Sequence, residues 1–157
     1  MREWLLLVVA VLMLFAGYLL QKSGIFDENS TSRANAAVFV SDCDLRLGGC
    51  EIDASGQELT FTIDPRDIQA LRPLKVSANF HGNVGDLPES VSVEFEGVNM
   101  DMGYNRFVLE PSNSGLYTAR AMLPACTAET MHWLIHLYVE KAGMLSDFQF
   151  RLVTKNH

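Results

Sequence analysis

The sequence contains 157 residues, of which 48% are apolar and 10% aromatic, and it carries a formal charge of −7 at pH 7. This length accommodates one domain with an appendage, and it leaves no room for two full domains with separate cores. The apolar content argues against a disordered chain. The excess of acidic residues argues against binding to nucleic acid, which depends on clustered lysine and arginine.

The apolar residues are concentrated near the N-terminus. Residues 4–20 form a run of 17 residues interrupted by a single glycine, with a tryptophan and a tyrosine near its two ends. As a helix, this run spans ~25 Å, which is at the short end for a bilayer core. A cleaved signal peptide is the alternative, but the nearest small-x-small site, at residues 34–36, lies too far beyond the run. The sequence therefore predicts an uncleaved signal anchor, a transmembrane helix over residues 1–22 that contacts membrane lipid.

The remainder of the chain divides into a tether and a domain. Residues 23–36 are polar and lack periodicity, which predicts a flexible tether, and residues 37–157 follow as the domain. The charge bias around the apolar run favours the N-terminus inside, so we expect a single-pass protein of the inner (cytoplasmic) membrane with an extracytoplasmic, periplasmic domain. Beyond Lys22 there are ten basic and eighteen acidic residues, a formal charge of −8. This balance suits solubility and a mild attraction for cations rather than binding to an anionic lipid surface.

From residue 38 onward, apolar residues alternate with a period of two, the pattern of half-buried strands. Residues typical of turns separate the alternating segments, and one helical turn is expected over residues 67–71. This pattern predicts an all-β domain, an immunoglobulin-like antiparallel β-sandwich, with Trp133 as a core residue and a tyrosine corner at residues 115–117. The alternating segments are residues 59–63, 74–80, 91–95, 107–109, 117–121, 133–139 and 148–152.

The three cysteines carry information because the domain is expected in an oxidising compartment. Cys43 and Cys50 enclose six residues, and a local disulfide closing a hairpin is the favoured interpretation. Two thiolates holding a metal ion are the alternative. Cys126 is then the odd cysteine, which is either buried and inert or a ligand for a soft metal.

Residues 98–104 contain two methionines at strand spacing. Met100 and Met102 share one face if this segment is extended. Thioethers, together with a thiolate or an imidazole, favour Cu(I) over hard cations. Met131, His132 and Cys126 are candidates for a further ligand, whereas simple core packing of the methionines is the competing interpretation. His136 lies ~13 Å along the strand from His132, too far for one shared ion, and is interpreted as an outward polar residue.

Three short motifs resemble those of FixH-like and YtkA-like domains. They are VEFEGVNMDMG at residues 93–103, Gly-Leu-Tyr at residues 115–117 and Met-His-Trp at residues 131–133. These families are small, exported immunoglobulin-like modules anchored by one N-terminal helix. The resemblance implies a role in copper handling or in assembling haem–copper respiratory oxidases, with Met100 and Met102 as metal contacts. An oxidase or a copper chaperone is the partner that it implies.

Motifs of catalysis are missing from the sequence, which has no Gly-x-Ser-x-Gly elbow, no phosphate-binding glycine-rich loop and no His-Glu-x-x-His. We therefore expect a protein that is not an enzyme. The first hypothesis is a tethered Cu(I)-binding accessory module whose ligands come from Met100, Met102, Cys126 and Met131. The second is a metal-free β-sandwich that docks a membrane protein complex through an edge strand.

Overall fold

The computed structural model describes Trp4, Met13 and residues 37–53, 58–82 and 86–155. The predicted anchor at residues 1–22 and the predicted tether at residues 23–36 lie outside the described residues, apart from Trp4 and Met13. Within the described part of the chain, no helix is both long and apolar enough to cross a membrane. The fold below is that of the compact unit formed by residues 36–157.

The described residues of this unit form ten strands and one short 3-10 helix at Asn113–Gly115. All seven alternating segments predicted from the sequence lie on strands, except that Leu109 falls just past the end of one. The strands are β1 (Ala37–Ser41), β2 (Cys50–Asp53), β3 (Glu58–Asp64), β4 (Pro73–His81), β5 (Ser90–Gly97), β6 (Arg106–Val108), β7 (Glu110–Pro111), β8 (Leu116–Met122), β9 (Thr130–Lys141) and β10 (Met144–Lys155).

The strands build two sheets, which confirms the predicted all-β sandwich. Sheet A has the order β1-β10-β9-β5-β6, and sheet B has the order β2-β3-β4-β8-β7. Every pairing is antiparallel except that of β1 with β10, which is parallel and makes sheet A mixed. β9 is the central strand of sheet A, and its residues therefore have hydrogen-bonded neighbours on both sides.

Alternation along the strands creates the core between the sheets. In β4, for example, every second residue from Leu74 to Phe80 is buried, while the residues between them are exposed or half-buried. Phe61 of sheet B stacks on Phe150 of sheet A with ring centroids 5.1 Å apart, which joins the two layers directly. Trp133 lies in this core as predicted, with its indole N–H donating to Thr154 Oγ1 at 2.9 Å. The largest fully buried side chains include Trp133, Phe61, Phe95, Phe148 and Phe150.

The prediction of a helical turn over residues 67–71 is wrong. Residues 65–67 form a bend, and Leu71 has a φ of 59°, in the left-handed region that ends regular backbone. The Leu71 N–H donates to the carbonyl of Leu123 at 2.9 Å, a long-range bond that replaces a local helical one. Ile68 is buried in the core, so tertiary contacts decide the path of this segment.

The tyrosine at the predicted corner connects distant parts of the fold. The Tyr117 hydroxyl donates to the carbonyl of Pro88 at 2.7 Å, and the ring packs edge-on against Phe80. A tyrosine corner instead bonds the backbone a few residues upstream. Tyr117 therefore links the start of β8 in sheet B to the segment that enters β5 in sheet A.

The disulfide between Cys43 and Cys50 is confirmed, with an S–S distance of 2.03 Å. The hairpin that it was expected to close is not formed, because β1 and β2 belong to different sheets. The bridged segment is instead the crossover between the sheets, and Leu45 within it is buried in the core. A salt bridge of 2.8 Å between Arg46 and Asp44 further constrains this short loop.

Replacing both bridged cysteines, Cys43→Ser/Cys50→Ser, is expected to lower the free energy of unfolding by about 2 kcal/mol. The physical reason is that the short crossover gains conformational freedom in the unfolded chain once the bridge is absent. Urea unfolding of the oxidised wild type and of the variant measures the difference. Reduced wild type should match the variant, and an unchanged midpoint on reduction would contradict the prediction.

Candidate functional site

The methionine-bearing segment is a loop rather than an extended strand. This Met loop, residues 98–105, connects β5 to β6 and consists of bends and irregular backbone. The Gly103 N–H donates to Asp101 Oδ1 at 2.8 Å, and Gly103 has a φ of +67°, so the chain turns immediately after Met102. The period-two relation between Met100 and Met102 therefore does not apply, and the two residues have different surroundings.

The Met loop is fastened to the beginning of β9. The Val98 N–H donates to the His132 carbonyl at 2.8 Å, one position beyond the last register pair of β5 with β9. The Asn99 side chain then imitates a further strand residue, because its amide donates to the Thr130 carbonyl at 2.9 Å and accepts from the His132 N–H at 3.0 Å. This side-chain extension of the ladder holds the loop beside Met131.

Met102 and Met131 converge above Gly97. The position that a Cβ on Gly97 would occupy lies 2.8 Å from Met102 Cγ and 3.1 Å from Met131 Cε, and it also meets the backbone carbonyl of Met100. Met131 is only 1% exposed, whereas Met102 is half-buried against the core. Two of the four predicted ligands are thus neighbours at the edge of the core, and a third contributes its backbone to the same place.

The other predicted ligands lie differently. The Met100 side chain is 36% exposed. Cys126 is half-buried in the loop before β9, where its thiol lies 3.8 Å from the carbonyl of Ala128. His132 is exposed, and alternation along β9 directs its side chain to the opposite face of the sheet from Met131. Over residues 37–53, 58–82 and 86–155, no group of three or more His, Cys, Asp or Glu side chains is placed to hold a metal ion.

His136 belongs to a second cluster that sequence reasoning missed. Its side chain is on the outer face of sheet A, as predicted, yet the residue is only 7% exposed. Nδ1 lies 3.0 Å from Asp147 Oδ2, and Nε2 lies 3.1 Å from Glu96 Oε2. Burial lowers the pKa of His136, but hydrogen bonding and charge attraction from Asp147 and then Glu96 outweigh that effect and raise the pKa above its ordinary 6.5.

Aromatic and cationic groups cover this cluster. Tyr138 stacks on His136 with ring centroids 5.5 Å apart. The Arg106 guanidinium lies 4.5 Å from the centre of the Tyr138 ring and donates to Ser92 Oγ at 2.7 Å. We call Glu96, His136, Asp147, Tyr138 and Arg106 the outer-face cluster. Carboxylates are hydrogen-bonded to both ring nitrogens of His136. The imidazole therefore joins β5, β9 and β10 through charge-assisted hydrogen bonds.

The sequence contains a partial signal for this cluster. His136 and Tyr138 alternate with apolar residues on a long strand, which places both on one face. Their partners come from β5, β6 and β10, up to 40 residues away in sequence. Without the strand order and register, no spacing in the sequence connects Glu96 or Asp147 to His136.

Comparison with known proteins adds no assignment to this geometry. No protein-family model matches the chain, and no curated protein matches it either. The resemblance to FixH-like and YtkA-like domains stays a prediction. The Met loop and the surfaces of the two sheets are the features of this chain that bear on its function.

Proposed function

We propose that this protein is a membrane-anchored, non-enzymatic accessory module that binds Cu(I) on its extracytoplasmic side and assists the assembly of a haem–copper oxidase. In this proposal the sandwich is an immunoglobulin-like domain, and residues 1–22 anchor it in the lipid bilayer. The observation that supports copper binding is the convergence of the Met102 and Met131 side chains above Gly97. A copper chaperone is the other partner compatible with this role.

The chemistry of the pair fits a soft monovalent ion. Thioether sulfur is neutral and polarizable, so it binds Cu(I) without the cost of burying an anionic ligand. Met131 is fixed in the core, while Met102 lies at the boundary with solvent. One ligand is therefore rigid and the other is close to the path by which an ion arrives.

Met100 and Cys126 are the two candidates for a third ligand. Met100 belongs to the same loop as Met102, and its exposed side chain would supply a third thioether. Cys126 is the alternative, since the loop that carries it leads into β9 and Met131. Met100→Leu and Cys126→Ser distinguish these two arrangements, because only the ligand's own substitution weakens binding.

Cu(I) affinity is the decisive measurement. The full chain in detergent is titrated anaerobically with Cu(I) against a chromophoric chelator. We expect the double variant Met102→Leu/Met131→Leu to lose affinity by about tenfold or more, which corresponds to about 1.4 kcal/mol. Leucine preserves volume and apolarity, so the cost in folding stability should stay below about 1.5 kcal/mol.

Matched controls come from methionines elsewhere in the sandwich. Met144 is exposed at the start of β10, and Met122 is exposed at the end of β8. Met144→Leu/Met122→Leu removes the same number of thioethers and should leave Cu(I) affinity unchanged. Equal affinity in the wild type and in Met102→Leu/Met131→Leu would overturn the proposal.

A further inference from the structure

β6 and β7 belong to different sheets although only one residue separates them, and this switch leaves part of β8 uncovered. β7 pairs with β8 through Glu110 opposite Thr118 and Pro111 opposite Tyr117. If the residues before Glu110 continued in line with β7, they would pair with β8 from Ala119 onward. Instead, the Leu109 N–H donates to the Val91 carbonyl at 2.8 Å, and β6 pairs with β5 in sheet A. Among the described residues, no strand pairs with the outer edge of β8 from position 119 to position 122.

A cleft of about 960 Å³ adjoins this edge. β6 contributes Phe107 and Val108, and Val108 is 62% exposed. Met122, which is 46% exposed, adds an apolar side chain at the end of the uncovered edge of β8. Exposed backbone edge and exposed apolar side chains at one place are the two features that accept an added strand.

The cleft is lined by three cations, Lys75, Arg106 and Arg120, and by two carboxylates, Asp64 and Glu110, a cationic excess in contrast to the acidic balance of the chain. Lys75 of β4 and Arg120 of β8 line the cleft and are directly opposite each other in register. Like charges in this position destabilise a sheet. Asp64 is opposite Lys75 on its other side, so Arg120 is the outermost charge of the row. Neither cation has an ion pair within 4.0 Å among the described residues.

The other charged groups of the cleft do not neutralise Arg120. The guanidinium of Arg106 is held by Ser92 and by the Tyr138 ring, on the outer face of sheet A. Glu110 also lines the cleft and is opposite Thr118, two positions from Arg120, but no salt bridge joins Glu110 to Arg120 among the described residues. A carboxylate on an incoming strand, opposite Arg120, would place an anion at each end of a row that runs from Asp64 through Lys75 to Arg120.

We infer that this edge binds an extended acidic segment of a partner polypeptide, which adds to sheet B next to β8. The segment carries an acidic residue opposite Arg120 and an apolar residue two positions away, opposite Met122, because side chains two residues apart share a face. Backbone hydrogen bonds supply affinity, and these two side chains supply selectivity. The inference goes beyond copper binding and does not depend on it.

The test uses the full chain in detergent, without metal, and synthetic peptides of about nine residues, which are long enough to form one strand. One fluorescent peptide has threonine at every second position, and the positions between are filled by glutamate and valine in turn. A second peptide carries lysine in place of each glutamate. We expect anisotropy to show binding of the glutamate peptide and about tenfold weaker binding of the lysine peptide. The variant Lys75→Glu/Arg120→Glu should reverse this preference, which a merely unfolded variant cannot do.

The control places the same charge changes elsewhere on exposed strand positions. Arg151→Glu/Lys155→Glu alters two exposed cations of β10 in sheet A. This variant should keep the preference of the wild type for the glutamate peptide. Failure of the wild type to bind the glutamate peptide, equal binding of both peptides, or an equal loss in the control variant would each overturn the inference. In the first case, Arg120 serves only to protect the edge against self-association.

Discussion

Substitution of His136 by leucine is expected to lower the free energy of unfolding by about 3 kcal/mol at neutral pH. The loss arises because Asp147 is buried and, among the side chains that the structure describes, would keep a hydrogen bond only from the amide of Gln149, at 2.8 Å. A buried carboxylate without its cationic partner costs far more than the pair itself contributes. Glu96 is exposed enough to be solvated by water, so its loss of a partner adds little.

A second substitution separates the cost of the unpaired charge from the loss of packing. His136→Leu/Asp147→Leu removes the carboxylate together with the imidazole and replaces both with apolar groups. Because a buried pair can often be exchanged for apolar residues with little loss, we expect the double variant to recover most of the stability. The coupling between the two sites follows from a double-mutant cycle by urea unfolding. A double variant that is less stable than His136→Leu would contradict this account.

The same histidine makes stability depend on pH in a defined direction. The pKa of His136 is raised in the folded protein, so the folded state binds this proton more tightly than the unfolded state does. The resulting stabilisation is complete below the unfolded pKa of 6.5 and is lost as the pH rises through the raised folded value. The His136→Leu variant should lack this decline. His132→Gln, at an exposed position of the same strand, is the control that should retain it.

Local patterns predicted the strands because each strand has one face in the core. The alternation in residues 74–80 and 133–139 directly reflects burial between two sheets. The disulfide was predictable for a similar reason, since the six residues between Cys43 and Cys50 are enough for the chain to turn back and bring the two thiols together. Structural features that depend on residues close together in the chain can therefore be predicted from the sequence.

Properties that depend on strand order could not be predicted in this way. The chain passes from sheet A to sheet B at Leu109, between β6 and β7, whereas the sequence pattern predicts that Leu109 continues a strand. The partners of His136 come from two other strands, whose register sets the contacts. The closeness of Met102 to Met131 likewise follows from the Asn99 amide, which extends the ladder from a loop position that has no regular pattern.

Gly97 connects the packing of the Met loop to its proposed chemistry, and Gly97→Ala should disturb both. The added Cβ would overlap the carbonyl of Met100 and would lie 2.8 Å from Met102 Cγ and 3.1 Å from Met131 Cε. Methionine side chains can rotate away, but the carbonyl is fixed by the loop that Val98 and Asn99 fasten to β9. We expect the free energy of unfolding to fall by about 3 kcal/mol, in the range of overpacked cores.

Gly48 provides the matched control, since a Cβ there meets no atom within 4 Å. Gly48→Ala should change stability by less than about 0.5 kcal/mol and leave Cu(I) affinity unaltered. Gly97→Ala should weaken Cu(I) binding by about tenfold or more, because the two thioethers separate when the loop moves. The variant Gly97→Ala/Met102→Ala distinguishes a clash with the Met102 side chain from a clash with the Met100 carbonyl. This variant removes the contact with the Met102 side chain. Its stability should nevertheless stay low, because the Met100 carbonyl still meets the new methyl group. Full restoration in that variant would mean that the side chain, and not the backbone of the Met loop, determines the need for glycine.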